Sequence, residues 1–129
     1  MLQQALNDID PYGTLPLHLS FDIDALDPSI APSTGTPVVC FSFVSIMHSS
    51  ISLSFFQQLG GLTFREGAFI CEILAESSRL CSMDITEVNP LLGSSPNDAI
   101  QTADMAKRMI SCALGETLLW GNQAHVRKF

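Results

Sequence analysis

Apolar and polar residues alternate along residues 15–24 (LPLHLSFDID), with Leu17, Leu19, Phe21 and Ile23 on one side and His18, Ser20, Asp22 and Asp24 on the other. That period of two predicts a β-strand with one buried face. The run gives way to ALDPSIAPSTGTP, whose prolines and Gly-Thr-Pro predict a long irregular loop. From Thr63 the spacing becomes helical. Thr63 with Glu66 three residues on matches a capping box. Phe69, Ile70, Ile73, Leu74 and Leu80 are the expected buried face of that helix. A second strand is predicted over residues 80–88 (LCSMDITEV), stopped by Asn89-Pro90. The loop LLGSSPND and a helix over residues 98–119 follow, with Ile100, Ala103, Met109, Ile110, Ala113 and Leu114 as its apolar side. Strand, helix, strand, helix predicts an α/β fold with parallel βα units and functional groups at the carboxyl ends of the strands. No internal repeat and no domain boundary is visible.

Residues 40–59 (CFSFVSIMHSSISLSFFQQL) do not fit this rhythm, and the whole stretch 28–64 holds no Asp, Glu, Lys or Arg. A span of about 20 apolar residues can cross a bilayer as a helix. Here the serines, His48, Gln57 and Gln58 dilute the segment and no basic flank anchors it, which argues against a membrane span. Ile51, Leu53 and Phe55 alternate with Ser50, Ser52 and Ser54, which predicts a strand or an aggregation-prone ribbon instead.

Composition narrows the class. The 129 residues suit one domain, and thirteen carboxylates against six Lys and Arg give a net charge of -7. That balance excludes a basic nucleic-acid or anionic-membrane surface and accords with binding of cations. Cys40, Cys71, Cys81 and Cys112 show no CxxC pairing, so reduced, packed thiols are expected rather than a disulfide framework or zinc ribbon. The opening MLQQALNDIDPYG has no basic segment followed by an apolar run, which gives the expectation of a cytoplasmic or organelle-matrix protein.

Candidate chemistry sits at the two strand ends. Residues two apart on a strand share a face, so Asp22 and Asp24 could both reach a metal pair, for which hard oxygen ligands are suited. Two unpaired carboxylates so placed repel, and a cation between them would offset that. Alone, an Asp-x-Asp is a weak signal, because acidic strand ends are common. Asp27 before Pro28 is expected to cap the turn through its side chain. His18 shares the face of Asp22 and is expected to be a satisfied core histidine rather than a ligand. Glu87 ends an apolar strand, where a carboxylate needs a cationic partner, and Asp84 is expected to face the other way and be structural.

Taken together, SFDIDALDPSIAPSTGTP, then GGLTFREG, then SMDITEVNP closely resemble the final portion of the arginase and ureohydrolase family. The resemblance covers roughly residues 16–119, interrupted by residues 40–59 as an insertion and followed by a tail, 120–129, that includes His125. It implies part of a three-layer α/β/α fold with parallel strands, the N-terminal half being missing. It also implies manganese-dependent hydrolysis of arginine to ornithine and urea, by two Mn2+ ions that share a hydroxide. Asp22 matches the carboxylate bridging both ions, Asp24 a ligand of the second, Glu87 the acid that pairs with the guanidinium, and Thr36 the threonine beside it. Arg65 and Glu66 match a pair used at a homotrimer interface. Asn89 resembles arginase, whereas agmatinases usually carry serine there.

The departures are large. The family's GGDHS and DAHxD segments, with its other metal ligands, do not occur in this chain. The expectations are weak metal binding, little or no activity for these 129 residues alone, and an open apolar edge on the first strand. The insertion ends in SLSFFQ, which reads as a translated pyrimidine-rich tract ahead of a splice site. Residues 40–59 are therefore expected to be of non-native origin. Alternatives are an agmatinase or other amidinohydrolase, a non-catalytic subunit that modulates intact partners, or a plain α/β module with ordinary strand-end acids. A cytoplasmic site is expected, with the mitochondrial matrix open to a full-length protein.

Overall fold

Leu17, Leu19 and Phe21 are fully buried, while His18, Ser20 and Asp22 between them are only half-buried, so the alternation read from the sequence is the observed strand β1 (Leu17–Asp22). The structure is a computed structural model that describes residues 2–35, 41–46, 49–54 and 60–117. Ahead of β1 runs α1 (Leu2–Ile9), an element the sequence pattern did not announce. Leu6 carries it into the core, and Asp10 ties its end to Arg79 at 2.6 Å.

After β1 come β2 (Phe41–Ile46), β3 (Ser49–Ser54), α2 (Phe64–Glu76), β4 (Leu80–Thr86) and α3 (Pro96–Ala113). The four strands form one sheet in the order β3-β2-β1-β4. β1 and β4 are parallel, with Asp22 opposite Thr86, as a strand–helix–strand unit requires. β2 lies antiparallel on the other edge of β1, and β3 antiparallel on β2. The expected open edge on β1 is thus corrected: the segment read as an insertion supplies the missing neighbour as a hairpin. Unpaired backbone groups along a buried strand are costly, and a two-stranded ribbon satisfies them.

The helix read from Thr63 begins there, whereas the one read over residues 98–119 runs from Pro96 to Ala113, where Leu114 caps it. Thr63 and Glu66 form the reciprocal capping box of α2, and Ser95 and Asp98 form another at α3, with Pro96 in its first turn. Their inward faces differ from expectation. On α2, Ile70 and Leu74 are buried as expected, but the stripe is completed by Gly67, Ala68 and Cys71, and Phe69 is 51% exposed. On α3, Met109 and Ala113 are buried as expected, joined by Thr102, Ala106 and Cys112, while Ile100, Ala103, Ile110 and Leu114 face out. The reason is close approach. A Cβ on Gly67 would stand 3.0 Å from Leu26, 3.2 Å from Met109 and 3.3 Å from Phe21, so the helices present their small residues to the sheet.

The core joins α1, α2 and α3 to the Leu17/Leu19/Phe21 face of β1. The opposite face carries His18, Ser20, Ser82 and Asp84 and is partly open to solvent. Among the described residues, no helix is long and apolar enough to cross a membrane.

Candidate functional site

Parallel pairing of β1 with β4 delivers Asp22 and Glu87 to the same end of the sheet, one residue beyond the last pair on β4. The chain does not stay extended through Asp24. Asp22 is the last strand residue, and Ile23–Ala25 turns into a single 3-10 turn closed by Leu26 N–H donating to Ile23 at 3.1 Å. Asp22 and Asp24 are therefore not two steps along one pleat, as the spacing suggested. After this turn Asp24 still stands close enough to Asp22 for the charge of one carboxyl to act on the other.

The electrostatics of this corner are one-sided. Burial, then the charge of Asp22, then the charge of Glu87, push the Asp24 carboxyl up from 3.8 to about 7. Asp22 Oδ1 is buried without a hydrogen-bond partner. Among the described residues, none of the ion pairs includes Asp22, Asp24 or Glu87. Glu87 itself is exposed and held at φ +63°, in the left-handed region that side chains other than glycine and asparagine avoid.

The loop after β1 is fastened over this corner by polar contacts that the sequence reading missed. Ser33 N–H donates to Thr102 Oγ1 at 2.9 Å, and Ser33 Oγ donates to the Asn89 carbonyl at 2.7 Å. Asn89 N–H returns a bond to the Ser33 carbonyl at 3.1 Å, and Gln101 Nε2 holds the Ser29 and Ile30 carbonyls. Thr34 bridges to Val88. These contacts lay Gly35 against Glu87, where a Cβ would stand 2.8 Å from Oε2. Thr36 follows Gly35 in sequence but lies outside the described residues. Serine, threonine and glutamine give no periodic signal, so only pairing across the fold could reveal these fasteners.

Other expected residues divide clearly. Asp27 caps its turn as anticipated, accepting from Ser29 N–H at 2.8 Å, and the Ser29 hydroxyl and amide hold its carboxyl below the ordinary range. Glu66 accepts from Thr63 N–H at 2.8 Å in the capping box, while Arg65 is exposed on the first turn of α2. His18 is satisfied, but it is not a core residue. Its Nδ1 is 2.8 Å from Ser82 Oγ and its Nε2 3.1 Å from Asp84, on the half-open face of the sheet. The reason is register: His18 pairs with Ser82 and Ser20 with Asp84, so a polar ladder occupies the face turned from the helices. Asp84 is structural, accepting from Ser20 Oγ at 2.6 Å as well. Among the described residues, no group of three or more His, Cys, Asp or Glu is arranged to hold a metal ion.

A strand–helix–strand unit with acids gathered at the carboxyl end of its two parallel strands places the chain in the α/β class. The comparisons are specific: the chain belongs to the Arginase family, matched over residues 1–42 and 56–115. It is 48% identical over 119 residues to an arginase of Glaciozyma antarctica, covering 92% of this chain and 28% of that one. An arginase of Schizosaccharomyces pombe is 42% identical over 119 residues, covering 92% and 30%. The crystal structure of Bacillus caldovelox arginase superposes with a TM-score of 0.64 at 32% identity, covering 92% of this chain and 31% of that one. The chain thus spans less than a third of the length of the relatives it matches.

Proposed function

We propose that this chain carries part of an arginase-type site, in which Asp22 and Asp24 hold Mn2+ and Glu87 pairs with the guanidinium of arginine. The observation that carries this reading is the corner itself. A buried, partnerless Asp22 oxygen beside an Asp24 carboxyl pushed up to about 7 is an arrangement short of positive charge, and a divalent cation with hard-ligand preference supplies it. Bound there, manganese would lower the pKa of water and polarise the substrate. The chain's own contribution is to hold two carboxylates together at the strand end and to lock Glu87 beside Gly35. Thr36, next along the chain, is assigned to the same wall.

Two carboxylates are too few for manganese, which takes about six donors, so these 129 residues alone bind it weakly and release no urea. Residues 40–59 are held to be an insertion into the family pattern, of non-native origin; a transcript joining Val39 to Gly60 would bear this out. Arg65 and Glu66 are assigned to a trimer contact of the intact enzyme. The cytosol or mitochondrial matrix goes with this reading, since Cys71, Cys81 and Cys112 are free thiols.

The test is thermal unfolding of the purified chain against Mn2+ concentration. Manganese should raise the midpoint of the parent chain and leave Asp22→Asn and Asp24→Asn unmoved. Equal shifts in all three, or none in the parent, would overturn the metal assignment. Urea release by the chain alone would overturn its incompleteness.

A further inference from the structure

Among the described residues, the sheet ends on two strands, β4 and β3, each paired on one side only. The two edges differ in chemistry. β4 carries Asp84 and leads into Glu87, so a two-fold pairing of two β4 edges would bring like charges together. β3 (SSISLS) sits inside the stretch 28–64 that holds no Asp, Glu, Lys or Arg, and it contains no proline or glycine. Natural edge strands are usually blunted by lysine, proline, a bulge or a covering element. β3 has none of the residues that do so, and its pairing with β2 runs unbroken over six residues, from Ser49 to Ser54. Its backbone groups on the outer side have no neighbouring strand among the described residues.

The edge is also self-complementary. Turned about a two-fold axis perpendicular to the sheet, Ile51 falls opposite Ile51 of the second copy, Ser50 opposite Ser52, and Ser49 opposite Leu53, with no charge in the ladder. Elsewhere the net charge of -7 keeps copies apart, so this neutral strand is where they can approach. We propose that β3 is an interface strand: two copies of this chain pair β3 with β3 in antiparallel fashion, joining two four-stranded sheets into one. The partner is a second copy rather than a charged peptide, because the edge offers no charge to recognise one. The pairing stands apart from the metal reading and survives its failure, and it is a property of the chain that carries residues 40–59, whose removal abolishes it.

Two measurements on the 129-residue chain test it. Sedimentation equilibrium over a dilution series should show a discrete monomer–dimer equilibrium. Hydrogen exchange should show amides 49–54 gaining protection with concentration while amides 80–86 do not. Ser50→Lys with Ser52→Lys crowds four ammonium groups into the ladder and should weaken association at least about tenfold. Cys81→Lys, on the other edge, should leave association unchanged. A monomer at every concentration overturns the proposal, as does growth without a discrete dimer. So does protection that rises at 80–86 instead, or association that survives the paired lysines. The exchange measurement needs no variant, so a misfolded variant leaves the question answerable.

Discussion

Asp24 and Glu87 each hold an unfavourable state, and each can be tested by removing it. The Asp24 carboxyl, raised from 3.8 to about 7, keeps a proton in the folded chain that the unfolded chain has already lost over that interval. Its contribution to stability is therefore complete below about pH 4 and is lost as pH rises through about 7. Asparagine cannot ionise. Asp24→Asn should match the parent chain near pH 4 and unfold at a higher temperature above pH 7, in metal-free buffer followed by fluorescence. Equal midpoints at pH 8 would mean that the crowding of acids is not felt. Glu87 adds to that crowding from a backbone at φ +63°. Glu87→Gly removes both the charge and the left-handed strain, and should stabilise the metal-free chain by about 1 kcal/mol in denaturant titration. The same change should weaken pairing with guanidinium compounds, the pattern expected where strain serves a site.

At the level of elements, the close approach of the β1 and α2 connections decides more than propensity does. Leu62 N–H donates to Ala25 and Asp27 N–H donates to Leu62, drawing the chain before α2 onto the turn after β1. A Cβ on Gly61 would stand 2.4 Å from Asp27 N and from the Leu26 carbonyl carbon, backbone atoms that cannot step aside. Gly61→Ala should cost roughly 2–3 kcal/mol in denaturant unfolding, in the range of overpacked or strained sites. Removing residues 40–59 should act differently. It strips the ladder from β1, exposes an edge whose neighbours are Leu17, Leu19 and Phe21, and should make the chain scatter light sooner on warming. The elements themselves were legible: period two marked β1, the capping box marked Thr63, and the strand from Leu80 was expected, although it ends at Thr86, ahead of Glu87 at positive φ, rather than at Asn89-Pro90. What the sequence hid was phase and partnership. Phe69 and Ile110 look like core but face out, because glycine and alanine win the inner side where helix and sheet nearly touch. The meeting of Asp22 with Asp24 was legible as a pair, but it comes about through a turn and not a pleat. The Ser33–Thr102–Asn89 fastening was invisible, since it joins residues far apart in sequence.

Over the whole molecule, Asp10, Asp27 and Glu66 are held towards the charged form and Asp24 towards the neutral one, and this opposition shapes the pH response. Asp10 is held below the ordinary carboxylate range chiefly by the Leu15 amide at 2.7 Å, and also by Arg79. Its clamp joins α1, at the start of the chain, to the entry of β4. The Ser29 hydroxyl holds Asp27 low over the turn after β1, and the Thr63 amide holds Glu66 low at the start of α2. For all three the folded value lies below the unfolded one. Their stabilisation is present above about pH 4 and drains away as pH falls through the folded values. Asp24 runs the other way, and its contribution drains as pH climbs towards about 7. The net charge of -7 adds repulsion on the alkaline side. The metal-free chain should therefore be most stable in mildly acidic solution, between about pH 4.5 and 6, and lose stability in both directions. Arg79→Ala should steepen the acid limb, because Asp10 loses a cation that favours its charged form. Mn2+ should lift the alkaline limb alone, because it favours the ionised pair at the carboxyl end of β1. Unfolding midpoints from pH 3 to 9, with and without manganese, separate these effects. A profile that keeps rising through pH 8 without metal would show that another group compensates the charge at Asp22 and Asp24.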